Sequence, residues 1–357
     1  MAKYQSIVSV LKKRILSGDY ALTSFPAVQT LAQEIGVSYV TAQRAVKILQ
    51  DEGLVVRRPN GKIEVTRKHE SEGQSFQVAF LTPTYQSANN EYWRMAINQL
   101  AATTHSFVLR PVLYTHWEDP LFIETLDAFD GVFLFPIPKP MPPTARERLK
   151  NARRVVVLDG DLTTLGIPSV QPFPPIFVQR LLDHLEKQGH THIDCFNVQP
   201  MDSICEKRIE QWAIWMAAHQ FTGKLINEPG TVGTLPYDHA YKIMNRVLDE
   251  GSFSATALLC ITLAAALGAT RACYEHGIHV GKDVAIGLVN GEGMAHLSIP
   301  SITAIETPDP IPYLVRSLDW MQQGGEQWIG SLLMEPQEVS LVIRESTQTP
   351  FTRVTVE

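Results

Sequence analysis

The sequence has few cysteines, and their spacing is not that of a disulfide scaffold or a zinc site. Its 357 residues include only Cys195, Cys205, Cys260 and Cys273, and no Cys-x-x-Cys pair occurs. In a chain of this length such thiols are expected to stay free in a reducing compartment. We therefore expect buried packing cysteines in a cytoplasmic protein that holds no metal and no cofactor.

An apolar segment suited to export or to a membrane is also lacking. The chain begins with a charged amphipathic pattern, without the apolar run and small-residue cleavage site of a secretory signal. The longest uncharged stretch, residues 251–270, contains several serines and threonines, and we interpret it as a buried strand followed by a helix. With 45% hydrophobic residues, the composition indicates a globular chain of two or three domains with no membrane partner.

Common catalytic motifs are missing as well. The sequence has no G-x-S-x-G, H-E-x-x-H, G-x-G-x-x-G or G-x-x-x-x-G-K-[ST], which excludes the usual signatures of hydrolases, zinc proteases and nucleotide-binding proteins. His190, His192 and Asp194 are explained better by a helix end that leads into a strand than by a metal site. Asp159 and Asp161 fit a turn after a strand better than an acid/base pair. We expect a protein that is not an enzyme.

What is present is a strong division of charge along the chain. Residues 1–68 hold 11 Lys and Arg against 5 Asp and Glu, a net charge of +6, whereas the rest holds 20 against 32, a net charge of -12. A small basic unit before a large acidic one is typical of a module that binds a polyanion.

Apolar spacing in the basic segment predicts three short helices. Gly18 is placed to end the first helix, Gly36 the second and Gly53 the third, and Ser38 can cap the third by accepting a backbone N–H bond. Two helices joined by a tight turn form a helix-turn-helix. The predicted buried positions are Tyr4, Ile7, Val8, Leu11 and Ile15 in the first helix, Val28, Leu31, Ala32 and Ile35 in the second, and Ala42, Ala45, Val46 and Leu49 in the third.

The other face of the third helix and the segment after it carry the predicted DNA-binding residues. Two β-rich runs around Asn60-Gly61 predict a hairpin with a basic tip, which can contact phosphates or the minor groove beside a helix in the major groove. The candidates are Ser38, Tyr39, Val40, Thr41, Gln43, Arg44 and Lys47 on the helix, and Arg57, Arg58 and Lys62 on the hairpin.

This segment, residues 4–66, resembles the winged-helix DNA-binding domain of the GntR family of bacterial transcription regulators. The resemblance rests on ILSGDY at 15–20, GVS at 36–38 and LQDEGLV at 49–55. It implies binding to operator double-stranded DNA. Gln29, Tyr39 and Gln43 stand where the family usually has arginine, and NGKIEV at 60–65 departs from the usual wing, so the operator cannot be carried over from the family.

Residues 69–75 are polar and predict a linker before a large α/β unit, residues 76–357. There, short β-rich runs alternate with helical segments, the pattern of parallel sheets. The α/β fold that we predict is an N-terminal winged helix-turn-helix plus a two-lobed periplasmic-binding-protein-like domain with parallel sheets. We expect the first lobe at about 76–170 and 304–331, and the second at about 171–303 and 332–350.

Residues 77–347 resemble the effector-binding domain of LacI/GalR-type repressors. The resemblance rests on the order of several segments, among them GIPSV at 166–170, GHTHI at 189–193 and ALGATRACYEHG at 266–277. A GntR-type head on a LacI-type body is similar to the arabinose-repressor subgroup. The resemblance implies a small-molecule effector, a sugar or a derivative, bound between the lobes.

The resemblance also implies which side chains line the cleft. It assigns Asp159, Arg208, Thr262 and Asn290 to ligand binding. Asp159 could instead cap a turn, and Arg208 could bridge the lobes. The family's usual Asn-Asp and Asp-Asp pairs are Thr262-Leu263 and Asn290-Gly291 here, so we expect fewer acidic acceptors in the cleft. Tyr85, Tyr92 and Trp93 could stack on a sugar or belong to the core.

Together these features predict a ligand-responsive, homodimeric transcription regulator, a repressor of carbohydrate genes that an effector releases from DNA. The alternative is a small-molecule binding protein without DNA-binding activity. A third hypothesis, an enzyme on a binding-protein scaffold, has no motif in its favour.

Overall fold

The computed structural model describes residues 3–16, 19–20, 25–59, 61–66, 76–84, 88–231 and 234–348. The helices are α1 Lys3–Leu16, α2 Val28–Ile35, α3 Tyr39–Asp51, α4 Ala88–Thr104, α5 Pro120–Ala128, α6 Pro143–Asn151, α7 Val178–Lys187, α8 Ser203–Ala218, α9 Pro236–Asp249, α10 Leu263–Glu275 and α11 Ile311–Gln322. The strands are β1 Val55–Arg57, β2 Ile63–Val65, β3 Phe76–Pro83, β4 Phe107–Tyr114, β5 Gly131–Leu134, β6 Val155–Leu158, β7 Ser169–Val170, β8 Ile193–Asn197, β9 Leu225–Asn227, β10 Ala257–Cys260, β11 Ala285–Leu288, β12 Thr303–Ile305, β13 Leu333–Met334 and β14 Leu341–Val342.

Helices α1 to α3 and the hairpin β1–β2 form an N-terminal head. Leu11, Leu31 and Leu49, one from each helix, are fully buried and pack together because their spacing gives each helix one apolar face. Gly36 ends α2 in the left-handed conformation, φ 69°, which glycine adopts without steric cost. The hairpin pairs antiparallel, with Val55 opposite Val65. The predicted helix-turn-helix with a wing is confirmed, whereas Gly18, Asn60 and the linker at 69–75 lie outside the described residues.

The remaining chain forms two lobes, each built on a six-stranded sheet. The strand order is β13-β7-β6-β5-β3-β4 in the first lobe and β14-β12-β11-β10-β8-β9 in the second. All pairs are parallel except β12 with β14. Apolar side chains cover both faces of each sheet, which is why β5, β6, β10 and β11 are buried along their whole length.

The interior of the second lobe is tightly packed. Residues 251–270 do contain a buried strand followed by a helix, as predicted. A Cβ on Gly268 would lie 2.5 Å from the Cβ of Ala240, so this glycine permits the close approach of α9 and α10. The four cysteines are unpaired and buried, and burial raises the pKa of each thiol. Among the described residues, none of the helices is both long and apolar enough to cross a membrane.

Between residues 88 and 348, apart from 232–233, the chain crosses between the lobes three times, and two crossings differ from the predicted ones. Strand β12, residues 303–305, belongs to the second sheet, whereas the sequence placed the return to the first lobe at 304. Strand β13, residues 333–334, belongs to the first sheet, whereas the sequence placed it in the second lobe. Both crossings lie a few residues later because β12 pairs with β11 and β14 in the second sheet, and β13 pairs with β7 in the first, before the chain leaves each lobe.

Candidate functional site

The start of α3 is fixed by side-chain hydrogen bonds. The backbone N–H of Thr41 donates to Oγ of Ser38 at 3.3 Å, and the two hydroxyl oxygens lie 2.8 Å apart. Ser38 is therefore the N-cap that the sequence predicted. Because these hydroxyls bond to each other, they orient the first turn of the helix.

The outward face of α3 is polar and aliphatic at its amino end and basic further along. Tyr39 and Val40 are 50% and 71% exposed, and Gln43 and Lys47 are exposed as well. Arg44 is exposed, but its guanidinium carbon lies 4.8 Å from the centre of a ring on α1, that of Tyr4. This cation–π contact holds Arg44 toward α1.

The hairpin carries three exposed cations and one acid that the sequence analysis did not weigh. Nε of Arg58 donates to the Glu64 carboxylate at 2.8 Å, and Nζ of Lys62 lies 4.0 Å from it. Antiparallel pairing places Glu64 opposite Val56, beside these cations. Arg57 makes no ion pair with any described residue. Glu64 therefore offsets part of the positive charge at the wing tip. The sequence already showed this acid within the second β-rich run of the predicted hairpin.

A cavity of about 490 Å³ lies between the lobes, beyond the carboxyl ends of the central strands. The first lobe contributes the end of β3 and the start of α4, and the second lobe contributes the loops that follow its strands. The Glu91 carboxylate accepts a hydrogen bond from Nε of Arg94 at 2.7 Å, so these two charges pair with each other. The polar lining includes Thr82, Asn90, Arg94, Gln199, Tyr237 and Glu292.

Asp159 lines a second cavity of about 300 Å³, which both lobes also form. It adopts a left-handed backbone conformation, φ 56°, after β6, and its carboxylate accepts a hydrogen bond from Nδ2 of Asn89. Burial raises the pKa of Asp159 to about 6, and the charge of Arg208 acts in the opposite direction. The second lobe lines this cavity with Asp202 and Glu206, so it is acidic.

Arg208 lies on α8 and is 6% exposed. Its guanidinium carbon is 5.7 Å from the ring centre of Phe173, and its Nε has no hydrogen-bond partner among the described residues. Its positive charge opposes the rise that burial causes in the pKa of both Asp159 and Glu292. A buried guanidinium with a free donor is suited to an oxygen of a bound molecule.

Glu292 is the cleft residue that the sequence analysis missed. Its N–H donates to Oδ1 of Asn290 at 3.0 Å, and a left-handed backbone, φ 47°, turns it into the larger cavity. Burial raises the pKa of Glu292 to about 7, with Arg208 opposing and Asp159 adding to the shift. The expected loss of acidic acceptors at this loop is therefore partial, because one acid two positions along stands in for the family's pair of aspartates.

The side chains of two other predicted cleft residues accept hydrogen bonds from nearby backbone N–H groups. Oγ1 of Thr262 accepts the N–H of Ala265 at 3.4 Å and caps α10, and Asn290 holds the turn of Glu292. Both side chains are about 95% buried, and neither they nor Arg208 are among the residues that line the cavities of about 490 and 300 Å³.

Of the three aromatic residues that could stack on a sugar, the structure describes Tyr92 and Trp93. Trp93 is fully buried in the core of the first lobe, so it has no face for a ligand and the core alternative is correct. The hydroxyl of Tyr92 donates to the carbonyl of Pro308 at 3.1 Å, and burial raises its pKa to about 12. Tyr85 lies outside the described residues.

Two family models match the chain, one in each part. Residues 3–65 match the bacterial regulatory proteins of the gntR family, and residues 182–347 match the periplasmic binding protein-like domain. A curated relative, the HTH-type transcriptional repressor PurR of Aliivibrio fischeri (strain MJ11), is 31% identical over 128 residues, which are 35% of this chain and 37% of the relative. The match thus spans little more than a third of that relative's length.

Solved structures resemble the two-lobed body. A LacI family transcriptional regulator from Arthrobacter sp. FB24, in complex with lactose, has a TM-score of 0.63 and 17% identity, covering 77% of this chain and 100% of the other. The lac repressor dimer bound to operator and the anti-inducer ONPF has a TM-score of 0.60 and 22% identity, covering 77% and 95%. At such identities the likeness establishes the fold of the body.

Proposed function

We infer that this chain, which has the architecture of a GntR/LacI-type regulator, is a ligand-responsive regulator of transcription. The observation that carries the inference is the combination of an exposed helix face beside a basic wing with a polar cavity between two lobes. Each part alone fits several functions, whereas their presence in one chain supports regulation of DNA binding by a small molecule.

The head is proposed to bind duplex DNA. Helix α3 exposes Tyr39, Val40, Gln43 and Lys47 along one face, which suits insertion into a major groove. Arg57 projects from the wing beside it, where it can contact a phosphate or the minor groove. The net charge of +6 in residues 1–68 supplies the attraction to a polyanion.

The cleft is proposed to bind a sugar or a similar polyol. A cavity of about 490 Å³ is in the size range of small-molecule sites, and its lining combines carboxylate, amide and hydroxyl groups from both lobes. The solved regulator from Arthrobacter sp. FB24 holds lactose. A ligand that bonds to both lobes favours their closure, and by linkage it changes DNA affinity by the same factor by which DNA changes ligand affinity.

We further propose that the protein is a homodimer that represses carbohydrate genes in the cytoplasm. Tyr274, Leu297 and Ile299 on the second lobe are 73%, 66% and 94% exposed, and such exposed apolar groups suit contact with a second copy. Two heads could then occupy half-sites about 34 to 36 Å apart, one turn of DNA. Repression ends when the effector changes the arrangement of the heads.

The experiment that tests the function is a salt titration of DNA binding. Fluorescence anisotropy of duplex DNA from the promoter region of its own gene should show affinity that falls steeply with salt, with a logarithmic slope of about -0.9 per phosphate contacted. A thermal-shift screen of sugars on the same protein should raise its melting temperature, because ligands stabilise the native state. Sugar binding with no DNA binding at low salt would favour the alternative, a small-molecule binding protein.

A further inference from the structure

The part of α3 that would enter a groove most deeply lacks a guanine-contacting side chain. Residues 38–43 contain neither lysine nor arginine. Arg44 is held against Tyr4, and Lys47 lies about 12 Å along the axis from Tyr39 at about 1.5 Å per residue. Since arginine and lysine are the usual partners of guanine O6 and N7, the first two turns of α3 are poorly suited to G·C pairs.

Two exposed side chains in the same turns have the chemistry that A·T pairs require. Val40 is 71% exposed, so its isopropyl group is available to an apolar partner on the DNA. In the major groove the apolar group is the C5 methyl of thymine. Gln43 is exposed, and its carboxamide can bond to N6 and N7 of adenine together.

The spacing of these two residues matches neighbouring base pairs. Val40 and Gln43 are three residues apart, so they lie on one face of the helix and differ by about 4.5 Å along its axis. The step between base pairs is about 3.4 Å. The other polar groups of the first turn, Ser38 and Thr41, already bond to each other at 2.8 Å.

We propose that each head contacts two adjacent A·T pairs, with Gln43 bonded to an adenine and Val40 packed against the methyl group of the neighbouring thymine. This inference rests on the proposed DNA-binding function, and it assigns base preference to two side chains that carry no charge. Lys47 and the wing then contribute affinity through the phosphates, without base preference.

The experiment begins with selection of bound duplexes from a random library by the full-length protein. The selected half-sites should share a pair of adjacent A·T base pairs. In the selected site, uracil in place of that thymine removes one methyl group and should weaken binding about fourfold. 7-Deazaadenine in place of that adenine removes the N7 acceptor and should weaken binding about tenfold.

Variants connect each base atom to one side chain. With Val40→Ala the uracil substitution should have no further effect, and with Gln43→Ala the 7-deazaadenine substitution should have none. Gln33→Ala is the matched control, since Gln33 is an exposed glutamine on α2. It should leave both effects intact.

The outcomes separate this inference from the function it rests on. Half-sites with G·C at these positions, base analogues that weaken parent and variant equally, or binding without sequence preference would overturn the A·T assignment while DNA binding stands. If the protein binds no duplex even at low salt, the proposed regulator function itself fails, and the assignment with it.

Discussion

The head and the cleft place their polar groups in opposite environments. On α3 the candidate residues are exposed, as in Val40 at 71%, whereas Arg208, on the helix whose first turn lines the smaller cavity, is 6% exposed. A surface patch gains from charge of one sign, because the long-range field attracts DNA. A cleft needs opposite charges in balance, since each uncompensated buried charge is costly.

The net charges fit this division. The basic segment, residues 1–68, carries +6, and the rest of the chain carries -12. An acidic body repels DNA, so it favours encounters through the head alone. The same acidity continues into the cleft, where Asp159 and Glu292 lie near one arginine.

The largest effect is expected from removing that arginine. Arg208→Ala should weaken binding of the sugar that is most stabilising in a thermal-shift screen by about 3 kcal/mol, roughly a hundredfold, because charged hydrogen bonds to the ligand are lost. Calorimetry measures the affinity, and DNA binding should stay within about twofold. Arg208→Lys keeps the charge but loses the planar fork, and it should recover only part of the affinity. Unchanged sugar affinity in Arg208→Ala would show that the cleft has been misassigned.

The next effect concerns how stability depends on pH through two half-buried carboxyls, those of Asp159 and Glu292. Burial raises the pKa of Asp159 to about 6 and that of Glu292 to about 7, from 3.8 and 4.5. The native protein then holds protons that the unfolded chain releases, so the free energy of unfolding should fall as pH rises from about 4 to 7 and level off above. Denaturant unfolding at fixed pH values measures this change.

Glu292→Gln tests the source of that pH dependence. It should reduce the fall by an amount on the order of 2 kcal/mol, because one of the two carboxyls with a raised pKa no longer titrates. Glu210→Gln is the matched control, since Glu210 is exposed on α8. If Glu292→Gln keeps the full fall in stability, as Glu210→Gln should, Glu292 is not a cause of it.

The two regions also differ in how far the sequence predicts them. In the head, helix boundaries, the Ser38 cap and the buried leucines follow from spacing within a few residues, so local pattern was enough. The alternation of strands and helices predicted two α/β lobes for the same reason. The later crossings at β12 and β13 depend on pairing with distant strands, which spacing does not show.

The cleft depends on turn conformation and long-range packing. Thr262 and Asn290 lie after strands, as expected, yet they bond to nearby backbone, and the acid that enters the cavity is Glu292. The left-handed φ of Glu292 turns its side chain into the cavity, and that backbone conformation is uncommon for a residue other than glycine. Trp93 is a similar case, because its burial results from the packing of α4 in the core of the first lobe, which the sequence does not show.

A smaller effect is expected for a single cation on the head. Lys47→Ala should reduce the logarithmic salt slope of DNA binding by about 0.9, which amounts to about an eightfold loss of affinity at 0.1 M salt if one phosphate contact disappears. Lys12→Ala is the control with the same loss of charge, because Lys12 lies on α1 and pairs with Glu52 at 2.7 Å. Anisotropy titrations over a range of salt give both slopes. Equal slopes for the two variants would mean that net charge, and not the face of α3, determines the affinity.

The smallest effect tests the acid in the wing. Glu64→Gln removes the partner of Arg58 and a negative charge near the DNA, so affinity should rise about threefold, the size expected from an exposed ion pair of about 0.7 kcal/mol. Glu52→Gln makes the same change away from the wing, where Glu52 pairs with Lys12. The gain should be larger for Glu64→Gln and should shrink at high salt, because screening weakens exposed charges. Equal gains in the two variants would indicate that the wing does not touch DNA, and contact would then rest on α3 alone.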